Sequence, residues 1–89
     1  MQQKASLPQN RPNPFDHNTV IDYFIPGDVQ DARIRVTSSD GKELGMVNIL
    51  ESGQGQVTIR TKSYPAGTYY YSLVLDGQVF ETKRMVLTR

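Results

Sequence analysis

Short runs of strictly alternating apolar and polar residues, cut apart by Gly, Pro and Asp, constrain this chain more than any other feature. Thr19, Ile21, Tyr23 and Ile25 share one parity, with Asp22 on the other. Ala32, Ile34 and Val36 alternate with Arg33, Arg35 and Thr37, and Val57 and Ile59 with Thr58 and Arg60. Tyr69, Tyr71, Leu73 and Leu75 alternate with Tyr70, Ser72 and Val74. A period of two sends successive side chains to opposite faces of a strand, so each run predicts a half-buried strand. No ten-residue window has a helical period. Composition agrees: Val, Ile and Thr number 8, 5 and 7, with five Tyr and three Phe against three Ala, and β-branched and aromatic side chains suit a pleated surface. The predicted core is Ile21, Tyr23, Ile34, Val36, Val57, Ile59, Tyr69, Tyr71 and Leu73.

Turn signals separate the runs. Pro26-Gly27-Asp28 ends the first. Ser39-Asp40-Gly41-Lys42 and Asp76-Gly77 predict hairpins, because Asp-Gly accepts the positive φ of a type I′ turn. Leu44 to Leu50 predicts a strand with a bulge at Gly45. Ser52-Gly53-Gln54-Gly55 reads as a loop, and Tyr64-Pro65-Ala66-Gly67 as a turn. In the last strand, Gln78 to Thr88, apolar residues fall on both parities, which predicts a bulge or bend near Thr82–Lys83. Ahead of all these, Leu7 to Phe15 holds three prolines. Proline fixes φ and has no N–H to give to a ladder, so this segment should be extended, at most an edge strand, anchored by Leu7 and Phe15. Six or seven short strands with regular turns predict an all-β antiparallel sandwich. A small barrel is compatible with the same pattern.

At 89 residues the chain is one domain at most. It has no cysteine, which excludes disulfides, thiolate metal sites and a cysteine nucleophile. Ten basic and nine acidic residues leave +1, scattered along the chain, so no nucleic-acid footprint exists. Met1 to Ser6 lacks the apolar stretch of a signal peptide, and Tyr69 to Leu75 is too short to span a bilayer. The chain therefore reads as soluble or as a piece of something larger. His17, the single histidine, could pair with Asp16 and a serine, but no serine lies in a Gly-x-Ser-x-Gly elbow; a polar loop residue is the favoured reading. Asp28 and Asp31 straddle a turn without the density of a calcium loop. Gly53-x-Gly55 precedes a strand, not the helix a phosphate loop needs. Tyr69-Tyr70-Tyr71 reads as core at Tyr69 and Tyr71, with only Tyr70 placed for exposure. Lys83-Arg84 reads as a solvated strand face. No cofactor is expected and no enzyme activity is indicated.

Five motifs in order carry a resemblance. Leu7-Pro8-Gln9-Asn10 with Pro12-Asn13-Pro14-Phe15, Thr19-x-Ile21-x-Tyr23-x-Ile25-Pro26, Ile34-x-Val36 with Asp40-Gly41-Lys42, Pro65-Ala66-Gly67-x-Tyr69-x-Tyr71-x-Leu73, and Lys83-Arg84-Met85-Val86-Leu87-Thr88-Arg89 together resemble the type A C-terminal sorting domain of the Bacteroidetes type IX secretion system. The resemblance spans Leu7 to Arg89, with residues 1–6 as a linker remnant or an artificial start. It implies an Ig-like sandwich of about seven strands. It also implies a non-catalytic signal that directs an attached N-terminal cargo from the periplasm through the outer-membrane translocon, to be cut off by a surface sortase. The partners implied are the translocon and shuttle components, the sortase and the cargo, and the destination is the cell surface or the medium. Candidate recognition residues are Pro12, Asn13, Pro14, Phe15, Gly67, Tyr69, Tyr71, Lys83, Arg84, Met85, Val86, Leu87 and Arg89. Two readings of Pro12-Asn13-Pro14-Phe15 stand side by side: a stiff, pre-extended segment presents Asn13 to the translocon, or the segment simply caps one end of the sandwich with Phe15 as plug.

Two other readings fit a small β-domain. One is an Ig-like surface module binding a glycan or protein through Tyr70 and the charged strand faces. The other is a secreted inhibitor presenting Arg11-Pro12-Asn13-Pro14 to a protease.

Overall fold

The structure, a computed structural model, describes residues 4–88; the expectations that fall on Met1 and Arg89 lie outside the described residues. The six alternating or near-alternating runs are all strands: β1 (Asn18–Ile25), β2 (Ala32–Ser38), β3 (Glu43–Ile49), β4 (Gly53–Arg60), β5 (Gly67–Leu75) and β6 (Gln78–Leu87). They form two antiparallel sheets, β1-β4 and β3-β2-β5-β6, with no helix among the described residues. Strand β4 returns to lie beside β1, the Greek-key connection of an Ig-like sandwich.

The seventh strand of the expectation is the proline-rich segment, which pairs only in patches. It first runs antiparallel to β1, with bridges Ser6↔Phe24 and Arg11↔Val20, and then crosses to the other sheet, where Phe15 bridges β6 in parallel at Leu87. The extended run expected over Leu7 to Phe15 is broken at one place. The chain bends at residues 12–14, because Pro12 and Pro14 have no N–H to continue the ladder along β1. Pairing resumes on β6 at Phe15, the first residue past the second proline.

The core fills the space between the sheets. Ile21, Ile34, Val36, Ile59, Tyr69, Tyr71 and Leu73 are buried as predicted, while Tyr23 and Val57 pack against the core half-buried. Leu7 and Phe15 are buried as anchors, and Ile25, Ala32, Met85 and Leu87 complete the apolar interior. Buried side chains of this kind each contribute roughly 1.5–3 kcal/mol.

The turns follow the sequence with corrections. At Asp76-Gly77 both residues have positive φ, as a type I′ hairpin requires. At the β2–β3 hairpin only Gly41 does. The bonds Gly41 N–H to Ser38 O and Ser38 N–H to Lys42 O close a three-residue loop instead of a type I′ turn. The Asp40 carboxylate is engaged locally, by the Ser38 hydroxyl first and the Lys42 N–H second, which hold it below its usual pKa. The β3 bulge lies at Leu44, next to Gly45. The β6 bulge lies at Phe80, two residues before the expected Thr82–Lys83, since Val79 pairs with Val74 and Glu81 with Leu73. That extra residue switches the parity of β6. Met85 and Leu87 point inward, whereas Val79 and Phe80 stay exposed. Gly53 to Gly55, expected as loop, belong to β4 because the β1 ladder extends to Ile25↔Gly53. Gly55 lies under the Tyr23 ring, where a Cβ would meet the hydroxyl at 2.6 Å.

Candidate functional site

Three of the motifs, distant in sequence, meet at one end of the sandwich. The ladder places Gly67 opposite Leu87 and Tyr69 opposite Met85, and Phe15 is bridged to Leu87 from the other side. The Pro-Asn-Pro-Phe segment, the start of β5 and the end of β6 thus form one hydrogen-bonded unit.

The outer edge of β6 is occupied backbone group by backbone group. The Gln9 amide donates to the Arg84 carbonyl at 2.6 Å, and the Val86 N–H donates to the Asn13 side-chain oxygen at 3.0 Å. Phe15 N–H donates to the Val86 carbonyl at 2.9 Å, and Thr88 N–H donates to the Phe15 carbonyl at 2.7 Å. β6 is an edge strand whose last residues would otherwise offer free donors and acceptors; the first segment covers them.

A buried amide holds the crossing in place. Asn10 has 3% exposure; its amide donates to the Thr19 hydroxyl at 2.8 Å and to the Pro12 carbonyl at 3.1 Å, and its oxygen accepts from Gln9 at 2.6 Å. The Thr19 hydroxyl also donates to the Pro12 carbonyl at 3.0 Å. A buried polar side chain needs such partners. Neither Gln9 nor Asn10 was singled out by sequence reasoning. The available signal was Thr19, a polar residue on the apolar parity of β1. Below them, Tyr71 donates its hydroxyl to the Pro8 carbonyl at 2.8 Å, and burial pushes its pKa up to about 12. At the β4–β5 corner, Tyr69 stacks on Tyr64 with ring centroids 5.3 Å apart and donates to the Pro65 carbonyl. This is the tyrosine corner of Ig-like sandwiches.

The candidate recognition residues divide by exposure. Phe15, Tyr69, Tyr71, Met85 and Leu87 are buried and hold the end together. Pro12, Asn13, Pro14, Gly67 and Arg84 are exposed, with Lys83 and Val86 half-buried. Lys83 is paired with Glu81 at 3.1 Å. Asn13 is not wholly free for a partner, because its oxygen serves the Val86 N–H. Gly67 has φ of 151°, a conformation other residues adopt only at a cost of about 1–3 kcal/mol.

The same end carries an open depression of about 760 Å³ lined by Asp16, His17, Asn18, Arg60 and Lys62. His17 contacts the Asp16 carboxylate at 3.2 Å, and this contact keeps Asp16 below its usual pKa. No hydrogen bond joins His17 to a serine among the described residues. Asp31 is paired with Arg33, while Asp76 accepts from the backbone N–H groups of Gln30 and Asp31. No cluster of potential metal ligands occurs among the described residues.

These features define a small antiparallel sandwich whose first and last segments interlock. The family described as secretion system C-terminal sorting domain, the type IX signal, matches residues 11–88, and the chain belongs to it. No curated protein sequence matches the chain. Membership makes the domain a C-terminal secretion sorting signal, carried by an N-terminal cargo and leading to the cell surface or the medium.

Proposed function

We propose that the folded end built from Pro12–Phe15, Gly67–Tyr71 and Lys83–Leu87 is the surface read by the type IX translocon and its shuttle, with the cargo attached at the opposite end. The observation that carries this reading is the path of the first segment. Ser6 pairs with Phe24 at the far end of β1, and Phe15 pairs with Leu87 at the motif end. Cargo ahead of Ser6 therefore joins away from the motifs and leaves them accessible. On this reading the domain crosses the periplasm folded. A surface sortase then cuts ahead of Ser6, because Leu7 and Asn10 are buried and the segment between Ser6 and Phe15 is hydrogen-bonded to both sheets. A protease requires its substrate in extended, accessible form, which this segment does not offer. The test is export of a reporter fused ahead of Leu7 in a type IX-competent cell. Export is expected with the reporter at the N-terminus and none with it at the C-terminus. Equal export from both positions would refute the reading.

A further inference from the structure

Apart from the Arg33–Asp31 ion pair at its rim, the outward face of the four-stranded sheet is used by none of the interactions above. At its centre the ladders align Met46, Arg35, Ser72 and Thr82 in one row. The Nε of Arg35 is buried and has no hydrogen-bond partner. Its cross-strand neighbours, Met46 and Ser72, bring no carboxylate. Arg84, which flanks Tyr70 on the same face, has none within ion-pair distance among the described residues. The other sheet differs: its outward carboxylate, Asp22, is already held by Arg11 at 2.8 Å. Two guanidinium groups on one face without a carboxylate partner favour carboxylates brought from outside, since such charge-assisted pairs are the strong ones.

We propose that this face docks an extended acidic segment of a protein partner. Arg35 and Arg84 are two strands and two residues apart, which puts their Cα atoms about 12 Å from each other. Residues i and i+4 of an extended chain lie at nearly that distance, about 13 Å, so two carboxylates four residues apart match the two arginines. Apolar surface lies beside the charges: Met46 is 40% exposed, Val79 52% and Phe80 46%. A polypeptide can cover those side chains, whereas a polyphosphate or an anionic sugar chain leaves them unpaired. The face measures roughly 400 Å², half of the ~800 Å² that a stable complex buries per partner. The contact is therefore weak and exchanging, as suits a cargo signal that must be released.

The inference does not depend on the export reading, because it is tested by binding in solution. The 89-residue chain is titrated by amide NMR with a nine-residue peptide carrying Glu at two positions four apart among Val and Ser. The controls are the same peptide with adjacent glutamates, and polyphosphate. Expected are shifts confined to the outward residues of β2, β3, β5 and β6, and weaker binding on raising salt from about 50 to 300 mM. Arg35→Met, which keeps the aliphatic stem, and Arg84→Gln should each weaken binding about tenfold. If Arg35→Met does not fold, Arg84→Gln carries the test alone. Shifts on another face, no binding at millimolar peptide, insensitivity to Arg84→Gln, or equal binding of polyphosphate would each overturn the proposal.

Discussion

Tyr71 ties the pH tolerance of the fold to its first segment. Its phenol is buried, donates to the Pro8 carbonyl and has a pKa of about 12, against about 10 for an unfolded tyrosine. A pKa raised by folding means that the protonated form is the one stabilised. That stabilisation is complete below about pH 10 and is lost as pH rises toward 12, to a limit of about 2–3 kcal/mol. Urea melts between pH 8 and 12 should show this fall. Tyr71→Phe should lower stability by about 0.5–1.5 kcal/mol at neutral pH and flatten the alkaline fall. Asn13 is a second case. Because its oxygen accepts from the Val86 N–H, Asn13→Ala should cost about 0.5–1.5 kcal/mol, while Asn13→Asp keeps the acceptor and should melt near the parent. A change in export with Asn13→Asp but not in melting would separate recognition from packing.

Among the elements, the first segment matters most for its size. It contributes two buried side chains, Leu7 and Phe15, worth together about 3–6 kcal/mol, and it closes the edge of β6. A domain of this size has about 5–15 kcal/mol in total. Truncation through Phe15 should therefore leave the sandwich at the margin of folding, measurable by urea denaturation. Where it still folds, the Val86 and Thr88 amides should lose their protection from hydrogen exchange, since Asn13 and Phe15 are their acceptors. Retained protection would mean that the β6 edge is covered by something else. The segment was legible as an anchored, proline-broken edge, but its change of sheet was not. Sequence periodicity reports which face a side chain takes, not which neighbouring strand its backbone meets.

At the scale of the molecule, the basic end of β6 separates a signal read by contact from one that only folds. Arg84 is exposed and Lys83 half-buried beside Glu81, so removing these charges should change stability by no more than about 0.5 kcal/mol each. Lys83→Ala, Arg84→Ala and Arg89→Ala combined should leave a folded domain, checked by circular dichroism and melting, and reduce export of an attached reporter. A folded triple variant exported normally would place recognition on the proline corner instead.

The β-branched alternation and the turn residues by themselves determined the class of fold and the inward faces of β1, β2, β4 and β5. These are local matters: a period of two and a positive-φ glycine need no distant partner. Tertiary structure decided the rest. The bulge settled at Phe80 because β6 had to match β5 on one side of it and reach Phe15 on the other. Gly53 to Gly55 became strand because β1 lay beside them. Gln9, Asn10 and Thr19 became one buried network only once the first segment crossed between sheets. Each of these outcomes depends on pairing across many residues of chain, and no local pattern encodes the energy of a contact whose second half lies in another strand.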